Sequence, residues 1–501
     1  MTRTILIYLF LCVFNPIMAQ LSRLTENVQY SFSAQGTAGT GDNAPFWFTN
    51  NRYGLGTTDN FSGLARVALW RTVEADSIWF WRYGYGVDLA SPINSENGYF
   101  CVQQAYIDIE WKMLRLSIGQ KERPSELKNA YLSTGGMTLG INARPIPQIR
   151  AEMPDFWAVP GTNGIFSFKG HVAYGMYTDS KWQKRFNAGT TNVYTSNSLF
   201  HSKALLMRIG NKDLFPLEFS GGLEMACQFG GTGWNILPYL GTTLAQDVKL
   251  GGSFLNSFIP SGGDVNDENF TNAAGNHLGS WHFRLDWIKK DWSVGIYMEH
   301  FFEDHSQMFL EYAWKDMLLG LEVTLPKNPF LSTLLYEYNH TKDQSGTIYH
   351  DKTVEVPVQV SARDDYYNNH VYGAWQMGGF VLGNPTILSP IYNPYLNNRG
   401  NLSTLHNRLS VHHVGLCGNP TSEWSWRALY TNHTSWGTYK MPLLNPLTSH
   451  YLLLEATYNP KWCPGLSMSA AYGHNSSDLI GNSNAAMLSL KFDGWLNKTQ
   501  W

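Results

Sequence analysis

Residues 364–380 combine aromatic rings with amides and carboxylates in a pattern that suits contact with a sugar. Binding a sugar requires a flat apolar surface for the ring and planar polar groups for the hydroxyls, which aromatic and Asn or Asp side chains provide. The stretch lies in and beside long predicted loops, where binding residues are usually carried. Packing of the same rings onto the rest of the protein is the structural alternative. The candidate carbohydrate-binding residues are Tyr366, Tyr367, Asn368, Asn369 and Trp375.

Arg399 is a further candidate for the same site. It follows Asn397 and Asn398 in a second polar stretch, and its guanidinium group can donate several hydrogen bonds to a ligand. An ion pair inside the protein is an equally good interpretation of this residue.

Catalytic and metal chemistry find little support in the sequence. Glu303 and Asp304 resemble the paired carboxylates of a glycosidase. However, adjacent residues of a strand project to opposite faces, so these two carboxylates cannot flank one bond. The same alternation separates His412 from His413 as metal ligands. Sequence motifs of nucleophile elbows, zinc proteases and phosphate loops are missing. We therefore predict a non-enzymatic protein with no catalytic residues, metal or cofactor.

The elements that position these residues are indicated by a period of two. From Leu217 to Phe229, odd positions are almost all apolar and even positions are polar or small. This is the period of a β-strand. The segment is longer than the roughly five or six residues of an ordinary strand and reaches the about 9–11 residues needed to cross a membrane. Its apolar face is predicted to contact lipid and its polar face to line a lumen.

The same alternation recurs along the chain, and the connections between strands are unequal. Lys112 and Met113 join two strands directly, whereas residues 339–372 and 376–407 form long irregular connections. Tryptophans such as Trp111 and Trp287 lie at strand ends. Short turns at one rim, long loops at the other and aromatic girdles are typical of outer-membrane barrels. A soluble β-sandwich or propeller is the alternative explanation of the alternation.

Charged residues inside such a barrel are expected to pair with one another. An unpaired charge in a region of low dielectric constant is costly, so opposite charges should meet across the lumen. We therefore interpret five residues as a structural polar network of the lumen rather than as a ligand site: Arg144, Glu303, Asp304, Glu322 and Glu337.

The chain begins like an exported protein. A basic start is followed by an apolar run from Ile5 to Phe14 and by Ala19 at a plausible cleavage point. The run is shorter than the roughly 20 residues that a spanning helix needs. We predict a signal peptide at residues 1–19 and a single β-barrel domain at residues 20–501.

Composition excludes several other classes of protein. There are 36 Lys and Arg residues against 39 Asp and Glu, a net charge of −3, so no basic excess is available to hold nucleic acid. An aromatic content of 14% argues against disorder. The 5 cysteines are too few for a disulfide scaffold of this length.

Several short stretches follow one another in a characteristic order over most of the mature chain. They are Ala44–Trp47 with Asn51–Gly54, Asn142–Pro147, Gly275–Gly279, Phe302–Ser306, Asp316 with Gly320–Glu322, Tyr366–Asn369, Gly383–Pro385 and Asn397–Arg399. Together they resemble the Wzi-type capsule assembly proteins of the bacterial outer membrane. The resemblance implies a barrel of about 18 strands and a lectin-like role in holding capsular polysaccharide at the cell surface.

The resemblance also raises the question of a plug. Better-known members of that family carry a small helical bundle near the N-terminus that closes the periplasmic mouth of the barrel. Residues 21–60 of this chain are rich in Gly, Thr, Asn and Phe and predict strand and loop instead. The sequence leaves open whether the lumen is plugged.

We therefore expect an all-β protein: a transmembrane antiparallel up-and-down β-barrel of about 18 strands, with short periplasmic turns and long extracellular loops. It is expected in the outer membrane of a Gram-negative bacterium, as a monomer. Its expected partners are outer-membrane lipid and a capsular or surface polysaccharide, which it would help to anchor or assemble. A porin or substrate-specific diffusion channel is the alternative function. A secreted or surface carbohydrate-active β protein is a third.

Overall fold

The computed structural model contains one antiparallel sheet that closes on itself. It describes residues 25–73, 81–95, 98, 100–235, 248–249, 254–258, 275–303, 308, 314–347 and 361–498. Within these residues, 18 strands form the sheet, which confirms the predicted fold class. The predicted signal peptide and Asp304 lie outside the described residues.

Each strand of the sheet pairs with its neighbour in the chain. The first nine strands are β1 (Gln29–Gly41), β2 (Phe61–Arg71), β3 (Trp81–Ile93), β4 (Cys101–Trp111), β5 (Leu114–Gln120), β6 (Gln148–Ala158), β7 (Phe166–Met176), β8 (Leu199–Ile209) and β9 (Leu217–Phe229). The other nine are β10 (Asn276–Ile288), β11 (Ser293–Glu303), β12 (Met317–Thr324), β13 (Thr333–His340), β14 (Leu409–Gly418), β15 (Trp424–Gly437), β16 (Pro442–Tyr458), β17 (Leu466–Ser477) and β18 (Ser483–Trp495). Pairing of β1 with β18, from Gln29 opposite Trp495 to Gly41 opposite Ser483, closes the barrel.

Helical structure in the described residues is limited to short pieces. They are α1 (Phe46–Thr49), α2 (Ser180–Phe186), α3 (Phe254–Phe258) and a 3-10 turn at Pro390–Tyr392. In this part of the chain, no helix has both the length and the apolar character needed to cross a membrane.

The outer wall of the barrel carries the apolar side chains that the alternation predicted. On β4, for example, Ile107 and Ile109 are exposed while Asp108 and Glu110 are buried. A wall of exposed apolar side chains far exceeds what a soluble surface carries, so it fits a hydrocarbon environment. Aromatic pairs lie at one end of this wall, with ring centroids 6.1 Å apart for Trp81 and Trp111.

Strand β9 has the bounds that the sequence predicted, but its outer face differs near one end. Cys227 and Phe229 are buried because α3 packs on the outside of the barrel there, with the rings of Phe229 and Phe254 5.7 Å apart. This part of the apolar face contacts protein instead of lipid.

The two ends of the barrel are unlike. At the turn rim, connections are short, as at Lys112 and Met113 between β4 and β5, where Lys112 has a positive φ of 54°. At the loop rim, several connections are long, and residues 341–408 form a single connection between β13 and β14, whereas residues 438–441 and 478–482 are short connections at the same rim. The two long connections predicted at 339–372 and 376–407 are therefore parts of one.

Three loop-rim connections fold into the lumen, and we call residues 42–58, 125–146 and 366–407 the interior segments. Phe46, Leu132 and Trp375, one from each segment, are fully buried and share one apolar core with the barrel residues Leu335 and Tyr451. The barrel is therefore filled from the loop rim by irregular segments. Residues 29–60 form a strand and a loop with a single helical turn, as the sequence predicted.

Candidate functional site

The interior segments are held by hydrogen bonds to lumen-facing side chains of the barrel. Trp47 of α1 donates from Nε1 to Thr431 Oγ1 of β15 at 3.2 Å. The ring of Phe46 stacks on Tyr451 of β16 with centroids 4.3 Å apart. These contacts join residues more than 350 positions apart in the sequence, so they define the filled lumen as part of the folded core.

A buried carboxylate connects two of the loop-rim connections. Asp179, just before α2, accepts hydrogen bonds from the backbone N–H of Gly378 at 2.9 Å and from the Gln376 side chain at 3.2 Å. Burial raises the pKa of Asp179, and the hydrogen bonds from Gly378, Gln183 and Gln376 partly offset this. The carboxylate therefore ties the residues around α2 to the interior segment 366–407.

The structure corrects the expected position of the aromatic candidates. Tyr366, Tyr367 and Trp375 are each 0% exposed because the segment that carries them folds into the lumen. Trp375 donates from Nε1 to the carbonyl of Thr138 at 2.8 Å. These three rings pack the interior segments together and present no surface to a polymer outside the barrel.

The other candidates of the predicted carbohydrate site lie closer to the surface. Asn368 and Asn369 are half-buried, and the Asn368 side chain exchanges hydrogen bonds with the backbone of Thr404. Arg399 is exposed, as a residue available for a ligand must be. The structure therefore separates Arg399 from the buried rings, and a sugar-binding role for Asn368, Asn369 and Arg399 stays a prediction.

The predicted lumen network is distributed over several separate contacts. Glu322 pairs with Arg284 at 3.0 Å and accepts a hydrogen bond from Asn129 at 2.7 Å. Arg144 donates to the carbonyl of Val102 at 3.0 Å.

Two members of that predicted network accept hydrogen bonds from the interior segments. Glu303 accepts a hydrogen bond from the backbone N–H of Tyr367. Glu337 accepts four hydrogen bonds, from Ser133, from Tyr297 and two from Thr134. Both carboxylates therefore fix interior segments.

The loop rim carries a polar cavity that the sequence did not single out. It has a volume of about 550 Å³ and lies between the end of β1 and the start of β2. Phe61, which is 60% exposed, forms its apolar side. Hydroxyl, amide and carboxylate groups line the remaining sides. The cavity therefore combines the apolar surface and the polar groups that sugar binding needs. We call this the rim cavity; its polar lining residues are Thr40, Asp42, Asn43, Thr58, Asp59 and Asn60.

Several polar groups of the rim cavity are available to a ligand. Asp59 is exposed, and Asn60 donates from Nδ2 to the carbonyl of Gly41 at 2.8 Å, which fixes the Asn60 side chain at the edge of the cavity. Desolvation raises the pKa of the nearby Tyr395 phenol, and the Asp42 carboxylate raises it further. The phenol therefore stays neutral and can donate a hydrogen bond.

A weak signal for the rim cavity was present in the sequence. The dipeptide Asp-Asn occurs at 42–43 and again at 59–60. Only the pairing of β1 with β2, in which Ala38 lies opposite Phe61, brings the two together. Because the two dipeptides are separated along the chain, the sequence alone did not show that they form one site.

A second cavity, of about 340 Å³, lies against the inner wall formed by β1 to β4. Trp70 and Tyr106 line it together with the ion pair of Arg66 and Asp88. The cations that line this cavity are paired with carboxylates. The cavity therefore offers no unpaired charge to a ligand.

Two groups of side chains have the composition and spacing of metal ligands. They are Glu224 with His282 and Glu299, and Asp316 with His340 and Asp343. In the first group, Lys128 Nζ lies 2.8 Å from Glu299 and the Met137 N–H donates to the same carboxylate at 2.8 Å. In the second, Asp316 accepts from the backbone N–H of Asp343 at 3.0 Å. Internal partners therefore engage both groups, and the absence of a metal stays a prediction.

Comparison with known proteins identifies the class of fold. No protein-family model and no curated protein matches the chain. Among solved structures, Wzi of Escherichia coli, described as a carbohydrate-binding β-barrel involved in group 1 capsule assembly, superposes with a TM-score of 0.54 at 12% identity, covering 96% of this chain and 87% of that chain. An identity this low shows a shared barrel fold alone.

Two further solved structures are similar over most of their length. OprD of Pseudomonas aeruginosa matches with a TM-score of 0.44 at 8% identity, covering 93% of this chain and 94% of that chain. OccAB4 of Acinetobacter baumannii matches with a TM-score of 0.46 at 8% identity, covering 94% and 98%. The closed 18-stranded antiparallel barrel of this chain is the fold that it shares with Wzi.

Proposed function

We propose that this chain is a non-enzymatic outer-membrane protein that binds capsular or other surface polysaccharide at its loop rim and helps to hold it at the cell surface. The observation that carries the proposal is an open polar cavity on the rim of a filled barrel. A filled barrel leaves the rim as its accessible functional surface.

The apolar outer wall supports a location in the outer membrane. A closed barrel satisfies all its backbone hydrogen bonds within lipid, and exposed apolar side chains such as Ile107 and Ile118 suit contact with acyl chains. Barrels of this type have short turns in the periplasm and long loops outside. The loop rim would therefore face the cell exterior, where surface polysaccharide lies.

The rim cavity supplies the contacts that a sugar requires. The exposed ring of Phe61 can stack on an apolar sugar face, while the exposed carboxylate of Asp59 lies beside it to bond hydroxyl groups. A long polymer presents many equivalent units, so several copies of the barrel on one cell would hold the same polymer more firmly than one shallow site could. Arg399 would add a cationic contact for acidic sugars on the same rim.

The filled lumen favours this function over a diffusion channel. A channel needs a continuous polar path with charged rings at its constriction. Here the interior segments place fully buried apolar side chains, Phe46, Leu132 and Trp375, across the barrel. A pore through that packed core would require the segments to leave it.

The test is direct binding of purified, full-length protein in detergent to the polysaccharide of the host cell. We expect Asp59→Ala with Phe61→Ala to weaken binding about tenfold, equivalent to about 1.4 kcal/mol. The matched control is Asp213→Ala with Phe215→Ala, an exposed pair of the same types and spacing at the turn rim. Equal losses in the two double variants, or no binding by the wild type, would refute the proposal.

A further inference from the structure

The outer wall of the barrel has two unlike faces. On β4 to β6 the outward side chains are aliphatic, as at Ile107, Ile118 and Ile149. On β13 to β17, the half of the wall next to the loop rim carries imidazole, amide and phenol groups that also point outward. We call this surface the polar wall and define it by Tyr336, His412, Tyr430, Asn432, His450 and His474.

Three residues of the polar wall form one row across β14, β15 and β16. His412 lies directly opposite Asn432 on the neighbouring strand, and Asn432 lies opposite His450. Directly opposite residues of paired strands have their side chains in contact distance. Polar groups are expensive on a lipid-facing wall, so a continuous row of them indicates contact with something other than acyl chains.

Hydrogen bonds within the wall orient the imidazoles. Tyr336 OH is 2.8 Å from His412 Nδ1. Both Tyr430 OH, at 2.9 Å, and Asn432 Nδ2, at 3.3 Å, approach His450 Nδ1. These two contacts engage His450 Nδ1. The Nε2 atom lies on the other side of the ring and makes no hydrogen bond within the described residues.

Cations lie immediately beyond this row at the loop rim. The backbone of Arg408 bonds to Trp436 and Gly437 at the end of β15, and Lys342 Nζ lies 4.4 Å from the Trp436 ring. Lys440 and Lys315 are both exposed. The carboxylates that face these four cations are Asp365, 3.3 Å from Lys440, and Asp343, 3.8 Å from Lys315, with Asp478 at the edge beside Thr448.

We propose that the polar wall and the loop-rim cations bind the phosphorylated headgroup of an outer-leaflet glycolipid. Within the described residues, Lys342 and Arg408 form no ion pair with a carboxylate, and imidazole N–H groups are further donors for phosphate oxygens. Apolar side chains nearer the turn rim, such as Leu454, are exposed for the acyl chains of the same molecule. The inference shares only the membrane location with the proposed function.

The proposal is tested by native mass spectrometry of the full chain in detergent with three probes: diphosphorylated lipid A, the same lipid without phosphate, and inorganic phosphate. We expect the phosphorylated lipid to bind at least tenfold more tightly than the dephosphorylated lipid. Equal binding of the two lipids would overturn the proposal. Inorganic phosphate that binds as tightly as the phosphorylated lipid would overturn the assignment to a lipid headgroup.

Substitutions locate the site. Lys342→Gln with Arg408→Gln and Lys440→Gln, and separately His412→Leu with His450→Leu, are expected to weaken lipid binding about tenfold. Lys289→Gln with Lys290→Gln removes exposed cations at the turn rim and should leave binding unchanged. Unshifted gel mobility of the folded barrel confirms that each variant folds. A change as large in the turn-rim variant would contradict the proposed place.

A photo-crosslinker at position 412 in intact membranes separates a lipid from a protein partner. Capture of the glycolipid supports the proposal, and capture of a protein in its place overturns it. Polysaccharide binding measured on the same variants should be unaffected, which distinguishes failure of this inference from failure of the proposed function.

Discussion

Glu337 on β13 accepts hydrogen bonds from both the backbone N–H and the hydroxyl of Thr134, each at 2.7 Å. The two residues are 203 positions apart, and Thr134 belongs to the interior segment 125–146. The other carboxylate oxygen of Glu337 accepts from Ser133 and Tyr297, each at 2.6 Å. One barrel side chain therefore holds this segment in the lumen by accepting from three of its donors, and a fourth bond from Tyr297 of β11 fixes the carboxylate in place.

Replacing Glu337 by Ala is expected to loosen the segment without unfolding the barrel. Each buried donor left without a partner costs about 1–3 kcal/mol. We expect the opening free energy of residues 125–146 to fall by at least about 2 kcal/mol, measured as faster amide hydrogen exchange. Glu218→Ala, which removes a carboxylate 3.9 Å from Arg208 near the turn rim, is the control. Unchanged exchange in Glu337→Ala would contradict the role given to this side chain.

Trp375→Ala should lower the free energy of unfolding of the barrel. The side chain is fully buried and bonds to Thr138, and loss of a buried aromatic ring typically costs about 3–5 kcal/mol. The exposed Arg399 provides the comparison, since Arg399→Ala should change stability by less than about 0.5 kcal/mol. Denaturant unfolding in detergent measures both. A Trp375→Ala protein as stable as the wild type would show that the interior segment contributes little to the fold.

Lowering the pH is expected to destabilise the packing of the end of the interior segment 366–407. Burial, and to a lesser extent His433, lowers the pKa of His406 to about 4, whereas an opened segment would return it to about 6.5. The open state then binds more protons, so the stabilisation is complete above pH 6.5 and is lost as the pH falls toward 4.

Hydrogen exchange of residues 402–408 checks this pH dependence. After correction for intrinsic exchange, opening at pH 5 should be easier than at pH 7 by about 2 kcal/mol. His406→Gln should remove most of that difference. A wild-type opening free energy that is the same at both pH values would show that His406 is not buried in solution.

Because its lumen is filled, the barrel is not expected to conduct ions. In planar bilayers the wild-type barrel should show no steady open-channel steps, because the interior segments share an apolar core with the barrel wall. Replacing residues 366–407 by a short Gly-Ser linker should open a conducting path. Steady conductance by the wild type would favour the diffusion-channel alternative. The linker variant must retain the gel mobility of a folded barrel for its conductance to be interpreted.

The fold could be predicted because a barrel strand has a local signature. Alternation alone gave the bounds of β9, Leu217–Phe229, and the two-residue connection at Lys112 and Met113. These features depend on neighbours in sequence and on which face meets lipid. The number of strands followed from length and from the family resemblance rather than from the pattern itself.

The interior of the barrel could not be predicted in the same way. Aromatic, Asn and Thr residues suit a sugar-binding loop and equally a packed interior segment, so Tyr366, Tyr367 and Trp375 were ambiguous until the tertiary structure placed them. Glu337 was expected to meet a cation, but its partners are hydroxyl and amide groups about 200 residues away. Contacts of this range leave no periodic signal in the sequence.

The polysaccharide proposal is tested most directly by the fraction of polymer that cells retain. In a strain lacking this gene, we expect shed polysaccharide to rise relative to the cell-bound fraction. The wild-type gene and the turn-rim control Asp213→Ala with Phe215→Ala should restore retention, whereas Asp59→Ala with Phe61→Ala should not. An unchanged ratio after deletion, or full restoration by the rim-cavity variant at normal protein abundance, would contradict the account.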